Sequence, residues 1–287
     1  EYISRNREMR QSMAGTKINR DSEKTEPSFK SGGPEDKTGR KQDFTQGNIV
    51  KQIVAFTLPL IASSLLQALY NMVDMVIAGR FAGPSAISAI NNSSQILVII
   101  TKIAIGITTG GCVLIAQFYG GKEDRSREEA AGTLVSLSAV LGIAFSVILA
   151  ASSGGILRIL QAPAYDEAVL YLRICSAGMF FVYIYNAFSS MLRAVGDSRT
   201  PMRIVIATTI LNAVLDLVFV AGFGMGVAGA AWATVIAQVL SALLSLAAIM
   251  KEKELIRFTR EFLRIRMGML KQTLKVGIPS AVQMTIA

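Results

Sequence analysis

Apolar residues along this chain gather into long runs separated by short polar segments. Six complete runs cover residues 52–78, 86–118, 129–153, 167–192, 203–222 and 226–250, and a seventh begins near Met269. At about 1.5 Å per residue, each complete run reaches about 30 Å or more, which is enough to cross the hydrocarbon core of a bilayer. The runs lack the alternation of barrel strands, and a lipid-facing backbone must satisfy its own hydrogen bonds. Each run is therefore predicted to form a transmembrane helix.

The composition places the chain among integral membrane proteins, since 52% of its 287 residues are hydrophobic. Residues 1–47 differ from the rest, because charged and small polar residues dominate there and large apolar ones are scarce. Such a segment cannot bury enough surface to offset chain entropy, so we expect a disordered, basic cytoplasmic tail. Because residue 1 is Glu rather than Met, we interpret the chain as a fragment, or as one that begins upstream of its natural start.

Basic residues predict the orientation of the helices in the membrane. The tail to Lys51, the 2–3 connection, the 4–5 connection and the segment 251–275 together hold 25 of the 29 Lys and Arg residues. Short loops rich in Lys and Arg face the cytoplasm. The N-terminus is therefore predicted to be cytoplasmic, and the protein to be a multi-pass protein of the cell membrane.

The connection after the sixth helix has its own pattern. In residues 251–268, Leu255, Phe258, Phe262 and Ile265 recur at helical spacing among Lys and Arg. This spacing predicts a cytoplasmic amphipathic linker, either a basic helix on the inner membrane surface or an ordinary exposed helix.

An internal repeat indicates a larger architecture. Residues 49–59 (IVKQIVAFTLP) align with residues 269–279 (MLKQTLKVGIP) at an offset of 220, sharing Lys-Gln and a later Pro. Such repeats are typical of transporters built from two related halves. The predicted fold is all-α: a six-helix N-terminal lobe over 48–250, followed at 269–287 by the start of helix 7 and a second lobe, giving about twelve helices.

Several chemistries are excluded or unsupported by the residues present. The chain has no His, which removes imidazole catalysis and His metal sites, and its two cysteines, Cys112 and Cys175, are too few for a thiolate metal site. No nucleophile and base pair, phosphate loop or metal-ligand spacing is recognisable. The basic residues lie between apolar runs, as topology signals do, rather than in a nucleic-acid patch. We expect neither an enzyme nor a cofactor-binding protein.

The candidate chemistry lies inside the membrane. Asn212 and Asp216 are four residues apart on helix 5 and share a face, and Asp74 lies on helix 1. Each carboxylate is six residues from the outer end of its helix, which is about 9 Å. Thr234 of helix 6 lies at about 12 Å. A carboxylate within the hydrocarbon layer costs about 2.5–3.5 kcal/mol on the mildest scale, so a functional site is the default interpretation.

These four residues are predicted to form a cation-coupling site. Crowding and desolvation both favour the protonated form of a carboxylate, so the group can take up H⁺. Oxygen ligands also suit a hard ion such as Na⁺. The alternative is a polar cluster that only holds helices together through hydrogen bonds.

Other polar residues within the runs are candidates for a substrate cavity or a moving part. Gln67 and Tyr70 share a face of helix 1, and Asn186 belongs to a polar cluster on helix 4. Pro59 removes a backbone hydrogen bond from helix 1, so it is either a hinge or a static kink. Lys102, in the middle of helix 2, should face the interior or a cavity.

One loop has a recognisable turn chemistry. In RAVGDSRTPM, at residues 193–202, Gly196 is expected to end helix 4 and Thr200 to cap helix 5 ahead of Pro201.

Five segments, taken in order, resemble the multidrug and toxic compound extrusion family. They are LPLIASSLLQALYNMVDMVIAGR (58–80), AQFYGGKED (116–124), MLRAVGDSRTPM (191–202), LNAVLD (211–216) and GVAGAAWAT (226–234). The resemblance covers residues 48–287. It implies twelve helices in two lobes around a central cavity, and export of cationic or amphipathic compounds in exchange for H⁺ or Na⁺.

The resemblance also assigns roles to residues. It implies cation coupling at Asp74, Asn212, Asp216 and Thr234, cavity positions at Gln67, Tyr70 and Asn186, and bending at Pro59. The chain departs from the family at Leu217, where many members have Pro, so a straighter helix 5 is expected there. Two alternatives stay open: a flippase of lipid-linked saccharides from the same superfamily, and a membrane scaffold subunit that does not transport.

Overall fold

The computed structural model describes residues 49–251 and 262–286; the predicted tail and most of the predicted linker lie outside these ranges. Within them the chain forms seven helices: α1 (Ile49–Phe81), α2 (Pro84–Gly120), α3 (Asp124–Ile159), α4 (Tyr165–Ala194), α5 (Arg199–Asp216), α6 (Gly226–Lys251) and α7 (Met267–Ile286). Helix α5 continues without a break into a π-helical segment, Leu217–Gly222.

Six of the described helices, α1 to α6, are long and apolar enough to span a membrane. Each predicted run falls within one of them, the fifth run only when the π-helical segment is included, and most helices extend a few residues beyond the runs into the polar segments. The prediction of an all-α membrane fold is confirmed. Helix α1 remains helical through Pro59, whose side chain is buried.

Helix α4 is the central element of the bundle, packing against α2, α3 and α6. Helix α1 lies at the edge, where α5 is its principal neighbour. Many of the large apolar side chains of α1 are exposed, among them Leu58, Leu65 and Val76. An exposed apolar surface of this kind suits lipid or further protein.

Glycines bring α2 and α7 into backbone contact. A Cβ at Gly106 would overlap Ala281, and one at Gly110 would lie 2.6 Å from the Gly277 nitrogen. Small residues of this kind let two helices approach closely, and van der Waals packing is the main force that stabilises such an approach. We call this contact the α2–α7 seam.

The end of the linker is docked on the N-terminal half of α3. Phe262 is buried, and its carbonyl group occupies the space where a side chain at Gly132 would lie. The Ser136 hydroxyl donates to the Leu263 carbonyl oxygen at 2.7 Å. The Arg266 N–H donates to the Thr133 hydroxyl at 3.2 Å.

This docking corrects part of the linker prediction. Residues 262–266 form a turn and irregular chain, so the predicted helix does not extend over them. Phe262 is buried against α3, because the missing side chain of Gly132 leaves room for the linker backbone.

The loop between α4 and α5 has a different cap from the expected one. Gly196 adopts a positive φ of 86°, as a residue that ends a helix should. Asp197, rather than Thr200, caps α5: its Oδ1 accepts from the N–H groups of Arg199 (3.1 Å) and Thr200 (2.9 Å). Because α5 starts at Arg199, Thr200 already lies inside the helix.

A buried carboxylate cluster as the candidate functional site

The four predicted coupling residues are all buried in the bundle. The exposed fractions are 5% for Asp74 on α1, 1% for Asn212 and 0% for Asp216 on α5, and 7% for Thr234 on α6. Their helices are mutual neighbours, since α5 packs on both α1 and α6. Neither carboxylate faces lipid.

Hydrogen bonds through Asn212 link α5 to α6. The amide orientation that satisfies both of its ends has Asn212 donating to Asp216 Oδ2 at 3.0 Å and accepting from the Thr234 N–H at 3.2 Å. The spacing of four residues on α5 produces the first of these bonds, because such residues lie one turn apart. Asn212 thereby fixes one oxygen of Asp216 and leaves the other available.

The two carboxylates interact with each other. Asp216 lies within electrostatic range of Asp74, and the Oδ1 atoms of both residues are buried without a hydrogen-bond partner. An unpaired buried polar atom costs about 1–3 kcal/mol, and more when it is charged. A proton or a small cation between the two groups would relieve both the repulsion and the missing contacts, so the arrangement can bind either.

The surroundings of the carboxylates are apolar. Ile77 and Ala78 of α1, Tyr171 and Cys175 of α4, and Val220 belong to one buried cluster in this part of the bundle. Cys175 is fully buried and lies within electrostatic range of both Asp74 and Asp216. Cys175 was assigned to no site from the sequence, and no pattern in the chain signals that it lies beside the carboxylates.

Helix α5 changes its winding directly after Asp216. The π-helical segment begins at Leu217. At its end, the N–H of Phe223 donates to the carbonyl oxygen of Val218, five residues earlier, at 2.9 Å. A π turn widens the helix even without a proline, whereas the expected straightness of the helix at Leu217 stays a prediction. Segments of this kind are frequent at functional sites.

Two of the residues predicted to line a cavity differ in their surroundings. Gln67 is exposed, whereas Asn186 is buried and donates to the Val182 carbonyl of its own helix at 2.8 Å. The side chain of Tyr70 lies outside the described atoms. Their role in a cavity stays a prediction.

The family follows from a comparison that covers more than half of the chain. The MatE family model matches residues 59–218. The chain belongs to the multidrug and toxic compound extrusion (MatE) family. The matched range contains three of the four buried site residues, namely Asp74, Asn212 and Asp216.

Individual relatives agree with this assignment. The chain is 32% identical over 249 residues to the probable multidrug resistance protein YpnP of Bacillus subtilis, covering 85% of this chain and 55% of that protein. It is 29% identical over 248 residues to the probable multidrug resistance protein NorM of Thermotoga maritima, covering 82% of this chain and 52% of that protein. The chain thus spans about half the length of the curated relatives it matches.

Solved structures of the family have the same fold. A crystal structure of MATE in the bent conformation superposes with a TM-score of 0.77 at 27% identity, covering 82% of this chain and 53% of the other. The match to half of a MatE transporter supports the interpretation of the chain as an N-terminal half.

Proposed function

We propose that the full-length protein is a secondary active exporter that drives multidrug efflux by antiport with H⁺ or Na⁺. Its substrates in this proposal are cationic or amphipathic small molecules. Two similar proteins are described as probable multidrug resistance proteins, which supports an export role. The coupling ion is taken up by Asp74 and Asp216, with Asn212 and Thr234 as supporting groups, and we propose no other cofactor.

The observation that carries the proposal is the pair of buried, unpartnered carboxylate oxygens on Asp74 and Asp216. A purely structural cluster gains stability by completing its hydrogen bonds. This cluster instead keeps one oxygen open on each of two mutually repelling carboxylates, which suits reversible capture of an ion. Because the chain belongs to a transporter family, we infer that ion capture drives transport.

The chain's own residues supply the coupling steps. Asn212 holds one oxygen of Asp216, so the other oxygen keeps a fixed direction. Ion binding removes the repulsion between α1 and α5, and ion release restores it. Two arrangements of α1 against α5 then differ in free energy according to ion occupancy, as an ion-driven transporter requires.

The membrane placement belongs to the same proposal. The six spanning helices embed the protein as a multi-pass protein. With the N-terminus in the cytoplasm, as the distribution of Lys and Arg predicts, the carboxylates lie in the outer half of the cell membrane. The ions that they bind would then come from outside the cell.

Efflux measured with independently imposed ion gradients tests the function. Full-length protein in sealed vesicles should export ethidium when a pH gradient or a Na⁺ gradient is imposed, and should stop when that gradient is collapsed. Export that ignores both gradients would refute antiport. Movement of a lipid-linked saccharide without ethidium efflux would favour the flippase alternative, and failure to move either compound would favour a scaffold.

A further inference from the structure

Helix α6 carries one stripe of polar residues among its apolar ones. The stripe begins in the carboxylate cluster and runs towards the C-terminal end of the helix, and its members are Thr234, Gln238, Ser241 and Ser245. Spacings of four, three and four residues place them within about 60° of one another around the helix. We call this set the α6 polar stripe.

The α6 polar stripe faces away from the outer surface of the bundle. On the opposite side of the helix, about 160–180° from Thr234, lie exposed large apolar side chains, namely Trp232, Leu243 and Met250. Of the stripe itself, Gln238 and Ser241 are partly exposed and the other two residues are buried. A side chain that is partly exposed on the inner side of a helix borders a space that a water molecule can enter.

Neighbouring helices enclose the stripe close to the carboxylate cluster. The backbone N–H of Thr234 donates to Asn212 of α5 at 3.2 Å. One turn further along α6, Gln238 packs against α4, where its Oε1 occupies the space that a side chain at Gly178 would fill. This part of the stripe therefore lies between α4 and α5, inside the described bundle.

The rise between successive members of the stripe suits single bridging water molecules. Steps of three and four residues correspond to about 4.5 and 6 Å along the helix axis. A water molecule that bonds to two groups holds them about 5.6 Å apart, which is twice the usual O–H···O distance. The hydroxyls of Ser241 and Ser245 donate to carbonyl oxygens of their own helix at 2.9 and 2.6 Å. Each hydroxyl oxygen keeps lone pairs that can accept from water.

Gln238 interrupts this series in the structure. Its Oε1 is buried and has no hydrogen-bond partner among the described residues. The atom packs against Gly178 on α4 instead of bonding to its neighbours on the stripe. A buried acceptor without a partner costs free energy, so this position of the amide is a poor one. Turned towards Ser241, the same amide could donate to one water molecule and accept from another.

We propose that the α6 polar stripe, with bridging water, is the path by which a proton moves between Asp216 and the cytoplasmic end of α6, and that Gln238 is its gate. This inference rests on the proposed function and specifies H⁺ as the coupling ion. With the amide against Gly178 the path is closed, so a proton bound from outside does not leak through the bundle.

With the amide turned towards Ser241, the path is complete. The O–H bond of the protonated Asp216 carboxyl then breaks, and the proton passes to the first water molecule. Each water molecule takes up one proton and gives up another, and the last one releases a proton to the cytoplasm. Asp216 returns to the carboxylate form, and Gln238 orients water without changing its own protonation.

Proton flux in the absence of any substrate tests the path. Full-length protein is reconstituted in liposomes that contain a pH-sensitive dye, and collapse of an imposed pH gradient is followed with valinomycin and K⁺ present to balance charge. Gly178→Ala is the central variant, because its Cβ would displace the Gln238 amide. The atoms that this Cβ meets belong to the side chains of Gln238 and Val235 rather than to backbone, so the fold should be kept.

Gly178→Ala should raise the proton flux about fivefold or more, since a change in one buried polar contact shifts an equilibrium by at least about that factor. Adding Gln238→Leu, which places an apolar side chain in the path, should return the flux to that of the unmodified protein. A leak caused by damaged packing would survive this second substitution. Gln238→Asn has a shorter amide that cannot reach Gly178, and it should leak as Gly178→Ala does.

Gly155→Ala and Gln117→Leu are the matched controls. Nothing lies within 4 Å of a Cβ at Gly155, and Gln117 is exposed on α2, so both variants should leave the flux unchanged. The inference is overturned if neither Gly178→Ala nor Gln238→Asn conducts more than the unmodified protein, or if the leak of Gly178→Ala persists after Gln238→Leu is added. Because no substrate is present, this result is separate from success or failure of ethidium efflux.

Discussion

Replacing Asp216 by Asn probes the buried carboxylate cluster with minimal change of shape. The new side chain keeps the size of the old one but removes the charge and the capacity to take up a proton. Asp216 is fully buried, and its open Oδ1 has no hydrogen-bond partner. The expected result is loss of ion coupling without loss of the fold, because a neutral amide is less costly to bury than a carboxylate.

The structure sets the size of the effect. The ion would satisfy one open oxygen on Asp216 and one on Asp74. Losing one such contact is worth about 1–3 kcal/mol, which corresponds to about a 5- to 150-fold weaker affinity for the ion. The variant also lacks the charge repulsion between residues 74 and 216 that destabilises the ion-free protein. Ion binding and release then no longer change the free energy of the arrangement, so gradient-dependent efflux should fall to the background level.

The assay follows ethidium efflux from vesicles holding full-length protein while the driving ion is titrated. The half-saturating ion concentration reports affinity, and the midpoint of thermal unfolding reports the fold. Asp166→Asn is the matched control, since Asp166 is an exposed carboxylate in the first turn of α4. It should leave both measurements unchanged.

One result would refute the coupling argument. If Asp216→Asn folded normally and kept both the efflux rate and the half-saturating ion concentration of the unmodified protein, the carboxylate would be structural. The cluster would then only hold α1, α5 and α6 together.

Three further substitutions test packing and helix capping elsewhere in the bundle. Gly110→Ala should lower stability by about 1–3 kcal/mol through overpacking, seen as a lower unfolding midpoint, whereas Gly120→Ala, where nothing lies within 4 Å, should not. Gly132→Ala should displace the docked linker and speed trypsin cleavage near residue 264, with Gly155→Ala, also free of neighbours within 4 Å, as the control. Asp197→Ala should cost about 0.5–2 kcal/mol by removing a helix cap; an unchanged midpoint would contradict that role.

The spanning helices could be predicted from the sequence because their signal is long and repeated. Runs such as 86–118 and 226–250 exceed the length that a bilayer requires. Depth along each helix also placed Asp74 and Asp216 at one level. Their burial was also predictable, because the apolar residues around them on each helix were expected to pack against neighbouring helices.

Features that depend on contacts between distant segments could not be predicted. The hydrogen bond from Asn212 to the Thr234 backbone requires the packing of α5 on α6. The position of Phe262 depends on a glycine more than a hundred residues earlier, at Gly132. Helical spacing alone predicted an amphipathic helix there, because the spacing shows which positions are apolar and not which partner covers them.

The α2–α7 seam has a consequence for dividing the protein into its repeats. By sequence the first repeat stops with α6, yet Gly106 and Gly110 are fitted to the backbone of α7. A chain that ended at Lys251 would lack α7, and the surface of α2 around Gly106 and Gly110 would be a shallow groove without its protein partner. A piece that keeps this contact must therefore extend at least to Ala281, and the seventh helix covers part of the first repeat as well as beginning the second.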